Sequence, residues 1–278
     1  MADHLIGVID LKAGKAVHAI AGKRNKYKPV SLVEKPANSA PDSFFRRDAA
    51  HVRASEGDPS ALVRWYRRFG ITQFYVADLD SLTDGEVQRD AIERLIENAS
   101  RGSDALQPDR WLIDVGLRED VIARHSEWLA LDWSVASANA AILQWIIASE
   151  SAESVNVIDS ASRYCDPDAL VLGVDFRDGV FIGPGKASGP AEVDAWMNRG
   201  KETGIRRALL IDVSAVGTGR SDASVAMLRD VAARHRGWRW ISGGGCRQAK
   251  DVDAYVRAGC ERVLVASALL PKQAMPPK

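Results

Sequence analysis

Two aspartates stand in matching phrases of the chain, Asp10-Leu11-Lys12-Ala13-Gly14 and Asp175-Phe176-Arg177-Asp178-Gly179. Two carboxylates that face one ligand can be driven apart in pKa by their surroundings. One then stays ionised as a base while the other keeps its proton as an acid, and proton-shuffling chemistry needs that division. Taken singly, each aspartate reads better as the cap of the turn behind it, or as a partner of Lys12 or Arg177. The repeat of the whole phrase favours a functional pair.

The elements that must position these acids follow from the pattern of the chain. Short runs rich in Val and Ile predict eight strands, at 5–10, 72–78, 110–115, 143–149, 169–175, 207–213, 239–244 and 262–267. Segment 133–140 is an alternative for the fourth. Helical spacing of apolar residues predicts helices over 60–70, 86–100, 121–131, 191–204, 222–235 and 249–259, an alternation that signals parallel strands joined by crossover helices. The second half of the chain also repeats the first. Trp111 to Arg118 matches Trp240 to Arg247, Asp78 matches Asp212, and Ser149 matches Ser267, in the same order. Two four-strand halves, about 1–165 and 166–278, predict one α/β domain, a (βα)8 TIM barrel with an internal half-barrel repeat, spanning 1–278. Ligands of such barrels sit at the C-terminal ends of the strands, and every repeated phrase lies there.

Ser242, Gly243, Gly244 and Gly245 follow the seventh strand; Ala266 and Ser267 follow the eighth. Glycines let backbone N–H groups close on a phosphate, and these are the loops where barrels commonly bind one. A tight turn built of glycines is the plainer alternative. Gly217, Thr218 and Gly219, after the sixth strand, add a loop with a hydroxyl. The first-half equivalents, Gly116, Arg118 and Ser149, make a weaker second phosphate site, since Glu150 beside them repels an anion. Gly183-Pro184-Gly185-Lys186 imitates a nucleotide-binding loop, but Val180 stands where the first glycine belongs and Ala187 where Ser or Thr is required.

Residues 11–59 are too long for an idle connection. They predict an inserted loop or hairpin, a substrate lid carrying Lys12, His18, Lys23 and Arg24, whose positive charge draws a phosphorylated ligand. A solvated charged turn is the alternative. No grouping of His, Cys, Asp and Glu has metal-ligand spacing, so no metal is expected.

Composition narrows the partners. With 37 Lys+Arg against 37 Asp+Glu the formal net charge is zero, which asks for neither nucleic acid nor an anionic membrane. No apolar run approaches the roughly 20 residues of a membrane span. Three cysteines form no disulfide framework, so a cytoplasmic setting is expected. The expected partner is a phosphorylated small molecule.

The phrases Val8-Ile9-Asp10-Leu11-Lys12-Ala13-Gly14, Val76-Ala77-Asp78-Leu79-Asp80, Gly173-Val174-Asp175, Asp212 to Thr218 and Ser242 to Gly245 resemble the ProFAR isomerase family of histidine biosynthesis and its cyclase relative, over nearly the whole barrel. Val17-His18-Ala19, Gly22-Lys23-Arg24 and Tyr27-Lys28-Pro29-Val30 resemble a branch of that family found in methanogens and in bacteria that use tetrahydromethanopterin and methanofuran as one-carbon carriers. The resemblance implies a cofactor-free Amadori-type isomerase of a phosphorylated aminosugar, with Asp10 as base, Asp175 as acid and Thr218 assisting. Two departures point away from the histidine-pathway substrate. Asp114-Val115-Gly116-Leu117-Arg118 replaces a triple-glycine phosphate loop, and Pro184 stands where the family has a stacking aromatic. A lyase or condensing enzyme on sugar phosphates, and a non-catalytic barrel that binds a phosphometabolite, are the alternatives.

Overall fold

The structure is a computed structural model that describes residues 2–18, 27–32, 56–100, 109–132, 141–186 and 188–271. Its strands are β1 (Leu5–Lys12), β2 (Lys15–His18), β3 (Lys28–Pro29), β4 (Gln73–Asp78), β5 (Arg110–Asp114), β6 (Ile142–Ala148), β7 (Leu170–Arg177), β8 (Val180–Phe181), β9 (Arg207–Asp212), β10 (Arg239–Gly243) and β11 (Cys260–Val265). Its helices are α1 (Pro59–Arg67), α2 (Ser81–Asp84), α3 (Arg89–Ser100), α4 (Glu119–Leu129), α5 (Asn156–Ser162), α6 (Pro190–Glu202), α7 (Asp222–Arg234) and α8 (Ala249–Arg257).

The parallel strands run β1-β4-β5-β6-β7-β9-β10-β11, and β11 pairs back onto β1 from Leu5↔Val263 to Gly7↔Val265. The eight-stranded (βα)8 barrel is therefore closed. Each strand serves two cores, because successive side chains point to opposite faces. Ile6, Leu112, Ile146, Val171, Leu209, Ile241 and Leu264 fill the interior. The intervening residues pack under the helices, where Trp111, Trp128, Trp145 and Trp196 are fully buried. Burying each aliphatic side chain of the interior stabilises the fold by about 1.5–3 kcal/mol.

Local chemistry starts the helices. Asp58 caps α1 by accepting from Ser60 N at 2.9 Å, with Pro59 in the first turn, a position that needs no N–H donor. Asp251 accepts from the Gln248 N–H at 3.0 Å, half of the capping box that opens α8. The six sequence-read helices correspond to α1, α3, α4, α6, α7 and α8 within a few residues. Helix α5 escaped the sequence reading, because its Asn, Asp and two Ser residues favour caps and turns as readily as a helix. The fourth strand is the 143–149 reading, and segment 133–140 lies outside the described residues.

β1 and β7 do not stop at their aspartates. Each continues two residues into a hairpin, β1 with β2 and β7 with β8. Of the insert, β3 pairs with β2 through Val17↔Pro29 and His18↔Lys28, and Ser31 bridges Glu56. Lys23 and Arg24 lie outside the described residues. No helix among the described residues is long and apolar enough to cross a membrane.

Candidate active site

At the C-terminal end of the barrel a pocket of about 310 Å³ opens, lined by Asp10, Asp114, Glu150 and Asp175 together with Tyr75 and His18. β1 and β7 stand on opposite sides of the closed ring, so Asp10 and Asp175 flank the space from opposite walls. Asp10 shares the parity of Ile6 and Asp175 that of Val171, both interior residues. Strand alternation therefore turns both carboxylates inward.

Asp175 is nearly closed off from solvent, at 8% exposure. Its Oδ2 accepts from Ser149 Oγ at 3.1 Å and from Glu150 N at 3.2 Å, and its own N–H donates to Ser149 Oγ at 2.9 Å. Burial raises its carboxyl well above the usual range, with the charges of Glu150 and Asp114 adding to the rise, and the two donors oppose it without winning. Asp175 thus holds its proton where an ordinary aspartate has lost it. With Oδ2 engaged by the two donors, Oδ1 is the oxygen suited to deliver that proton.

Tyr75 stands among the acids. Its hydroxyl donates to Asp114 Oδ2 at 2.9 Å, and burial, then Asp114, hold the phenol well above its ordinary pKa, so it stays a donor. Asp114 Oδ1 accepts from Gly116 N at 3.1 Å. His18 is buried, which pushes its imidazole down toward the neutral form. Cys246 also lines the pocket, but burial lifts its thiol to about 12 and leaves it un-ionised. Arg177 is the one arginine or lysine among the described lining residues.

Of the phosphate-loop residues, Gly217, Gly244, Gly245, Ala266 and Ser267 line the pocket. Ser242 and Gly243 do not. The Ser242 hydroxyl is buried and donates to Leu210 O at 2.8 Å, and a Cβ on Gly243 would stand 2.7 Å from Leu264 Cβ. Their places are explained by the scaffold, and Gly245 is required there as well, at φ 70° with a Cβ position 2.5 Å from the Arg220 carbonyl carbon. Gly244, at φ 104° with a Cβ position 3.7 Å from Ala215, is the glycine left to shape the wall. Gly219 lies under the Arg247 guanidinium. Thr218 is also outside the pocket lining, its hydroxyl donating to Ala215 O at 2.8 Å. That bond closes a turn, so this arrangement does not bring Thr218 beside the acids.

The second-site residues do not converge either. Gly116 spends its N–H on Asp114, Arg118 turns to Asp120 at 3.3 Å and to Gly116 O at 3.4 Å, and Ser149 is fully buried on Asp175. Of the lid residues, His18 lines the pocket while Lys12 is exposed beside the hairpin turn. Asp78 and Asp212 are structural. Asp78 accepts from Ser81 N, Gln88 N and Gln88 Nε2, and Asp212 from Ser214 N, Ser214 Oγ and Gly179 N.

The sequence reading missed Tyr75, Asp114 and Arg177 as pocket residues. Asp114 carried a usable signal, since it shares the parity of Leu112 in the barrel interior. No three His, Cys, Asp or Glu side chains among the described residues form a metal-holding group. Among curated proteins none matches the chain. Residues 4–274, nearly the whole length, match the model of a family described as histidine biosynthesis protein. With its barrel closed and its strand-end acids in one pocket, the chain belongs to the histidine biosynthesis protein family.

Proposed function

We propose that the protein is a cofactor-free isomerase of a phosphorylated sugar or aminosugar, working by acid/base proton transfer between Asp175 and Asp10. Family membership supports an isomerase or a related barrel enzyme. The observation that carries the finer reading is the pairing of two carboxylates across one pocket, one of them held protonated by burial and neighbouring negative charge. Asp175 protonates the ring oxygen of the bound sugar as the carbon–oxygen bond opens. Asp10 then removes the proton from the carbon next to the anomeric one, giving an enol or enaminol, and hands it back to the anomeric carbon while the enol hydroxyl releases its proton through solvent to Asp175, leaving the ketone and both acids as they began. The phosphate rests where Gly244, Gly245, Ala266 and Ser267 meet the pocket.

The opposite corner, walled by Asp114 and Glu150, repels a second phosphate, which favours a monophosphate over the long bisphosphate of the histidine pathway. The residues around His18 and Tyr27 favour a place in the biosynthesis of one-carbon carriers. No lysine is found among the described lining residues, so they offer no amine for a Schiff-base lyase.

Incubation in deuterated water with a panel of phosphorylated aldoses and aldosylamines tests the chemistry. Wild type is expected to place deuterium on the carbon beside the carbonyl, and Asp10→Asn to lower that exchange by about 10²–10⁴-fold. Exchange with no substrate of this class, or exchange undiminished in Asp10→Asn, overturns it. Complementation of a histidine auxotroph lacking the isomerase tests the substrate. Poor growth is expected; robust growth, abolished by Asp10→Asn and by Asp175→Asn, returns the protein to the histidine pathway.

A further inference from the structure

The opposite end of the barrel carries the opposite charge. Arg110, Arg207, Arg239 and Arg262 each stand two residues before Leu112, Leu209, Ile241 and Leu264, which fill the interior. Strand alternation therefore turns all four toward the barrel axis, one layer below that apolar plug, at the N-terminal floor. Arg207 and Arg239 are direct Cα partners on β9 and β10, and Arg262 neighbours them on β11, paired with Ile241.

Their compensation is incomplete. Glu261 takes Arg239 in a bidentate pair at 2.6 and 2.9 Å and approaches Arg262 at 3.8 Å. Asp168 offers its backbone carbonyl, which accepts from Gln144 Nε2 at 2.7 Å and from Arg207 Nη1 at 3.4 Å. Neither Arg110 nor Arg207 has a carboxylate at salt-bridge distance among the described residues. Burial lowers the affinity of Arg207 for its proton, Arg239 and Arg110 lower it further, and the carboxylates of Glu261 and Asp168 oppose the fall without cancelling it. Arg110 thus reaches Arg207 electrostatically although its strand, β5, is separated from β9 by β6 and β7.

We propose that this floor is a binding site for a small phosphate-bearing anion, gripped by Arg110, Arg207, Arg239 and Arg262. Four guanidinium groups against the carboxylates of Glu261 and Asp168 leave two positive charges over, a surplus that a dianion balances, and planar guanidinium forks match phosphate oxygens. Like-charge crowding gains nothing for the empty fold, so a cluster kept only for stability would be expected to hold more acids. The apolar plug separates this site from the mouth, and the inference stands whether or not the mouth is an isomerase site.

Calorimetric titration of the full chain with pyrophosphate at low ionic strength tests it. The probe is applied to wild type, to the double variant Arg110→Gln/Arg207→Gln, and to Ser267→Asp, which places a negative charge in the mouth. The floor site is expected to lose affinity by about tenfold or more in the double variant and to survive in Ser267→Asp. Thermal melting without ligand checks that the double variant is folded; relief of repulsion is expected to keep its melting temperature at or above that of wild type. Unchanged pyrophosphate binding in the folded double variant, loss of all binding in Ser267→Asp alone, no saturable binding to wild type, or equal affinity for succinate each overturns the assignment.

Discussion

In the first half of the barrel, β1 passes Asp10 into a hairpin turned by Ala13 and Gly14 at φ 48° and 72°. In the second, β7 passes Asp175 into a hairpin turned by Asp178 and Gly179 at 52° and 78°. The end of the next barrel strand and the loop after it grip each turn. Asp80 and Gln88 take the N–H groups of Ala13 and Gly14 at 2.9 and 2.6 Å, while Ser214 and Asp212 take those of Asp178 and Gly179 at 3.2 and 3.1 Å. Leu79 N donates to Leu11 O at 2.8 Å, and Val213 N to Phe176 O at 2.9 Å. A buried aromatic on the following helix completes each half, Tyr66 donating to Val8 O and Trp196 Nε1 to Gly173 O, both at 2.8 Å.

The ligand-facing corners do not follow this symmetry. The second half ends its last two strands in Gly244, Gly245, Ala266 and Ser267; the corresponding corner of the first half presents Asp114 and Glu150. Scaffold bonds recur because backbone groups buried at a strand end must be paired in both halves. Side chains that face the pocket carry no such obligation, so their charge is set by the ligand.

The largest expected effect breaks the neutral corner. Ser267→Asp, which introduces no glycine strain, and Gly244→Asp both give that corner the charge of its opposite. Each is expected to weaken binding of a ribose monophosphate at the mouth by about a hundredfold or more, measured by calorimetry. Equal affinity in Ser267→Asp and wild type removes the site.

Next in size, Tyr66→Phe and Trp196→Phe strip the same strand carbonyl in the two halves. Each is expected to cost about 1–3 kcal/mol in denaturant unfolding for the unpaired buried acceptor, and Trp196→Phe a further cavity cost. A cost in one half and none in the other would show that the scaffold symmetry is geometric but not energetic.

Asp114→Asn sharpens the acidic corner. Asp175 is faced by Glu150, Asp114, Tyr75 and Asp10, and removing one negative neighbour lowers its raised pKa. An acid must be protonated to act, so the alkaline limb of the pH–rate profile should move to lower pH. The stability held by the protonated carboxyl, present at low pH and lost as pH rises through its folded pKa, should also disappear at lower pH. An unmoved limb in both kinetics and melting would show Asp114 to be electrostatically silent.

The smallest effect concerns the turns. Ala13 occupies a left-handed position that Asp178 fills in the other half, and Asn or Asp tolerates that conformation better than Ala. Ala13→Asn should raise stability by roughly 0.5–1 kcal/mol; no gain in melting temperature would mean that the grip of Asp80 already fixes the turn.

The eight strands and the Asp10/Asp175 pair were legible in the sequence, because apolar alternation and a repeated phrase are properties of neighbouring residues. The sorting of the other acids was not. Asp78, Asp114 and Asp212 all end strands. Asp78 follows Ala77 and Asp212 follows Ile211, residues that line the pocket, so both turn outward into loops, whereas Asp114 itself points in. One residue of register decides between a turn cap and a pocket wall.

Thr218 and Ser149 show the same limit from the other side. Their types suit a ligand, yet Thr218 closes a turn on Ala215, and Ser149 is spent on Asp175. The sequence by itself determined the closed barrel, its two-fold plan and the two acids at equivalent strand ends, since each follows from local pattern and repetition. Only the tertiary structure decided that Asp175 keeps its proton, that Asp114 joins it through the shared pocket, and that four arginines from separate strands meet at the floor. Burial and charge at those points are summed over residues far apart in the chain, and only closure of the barrel brings them within range of one another.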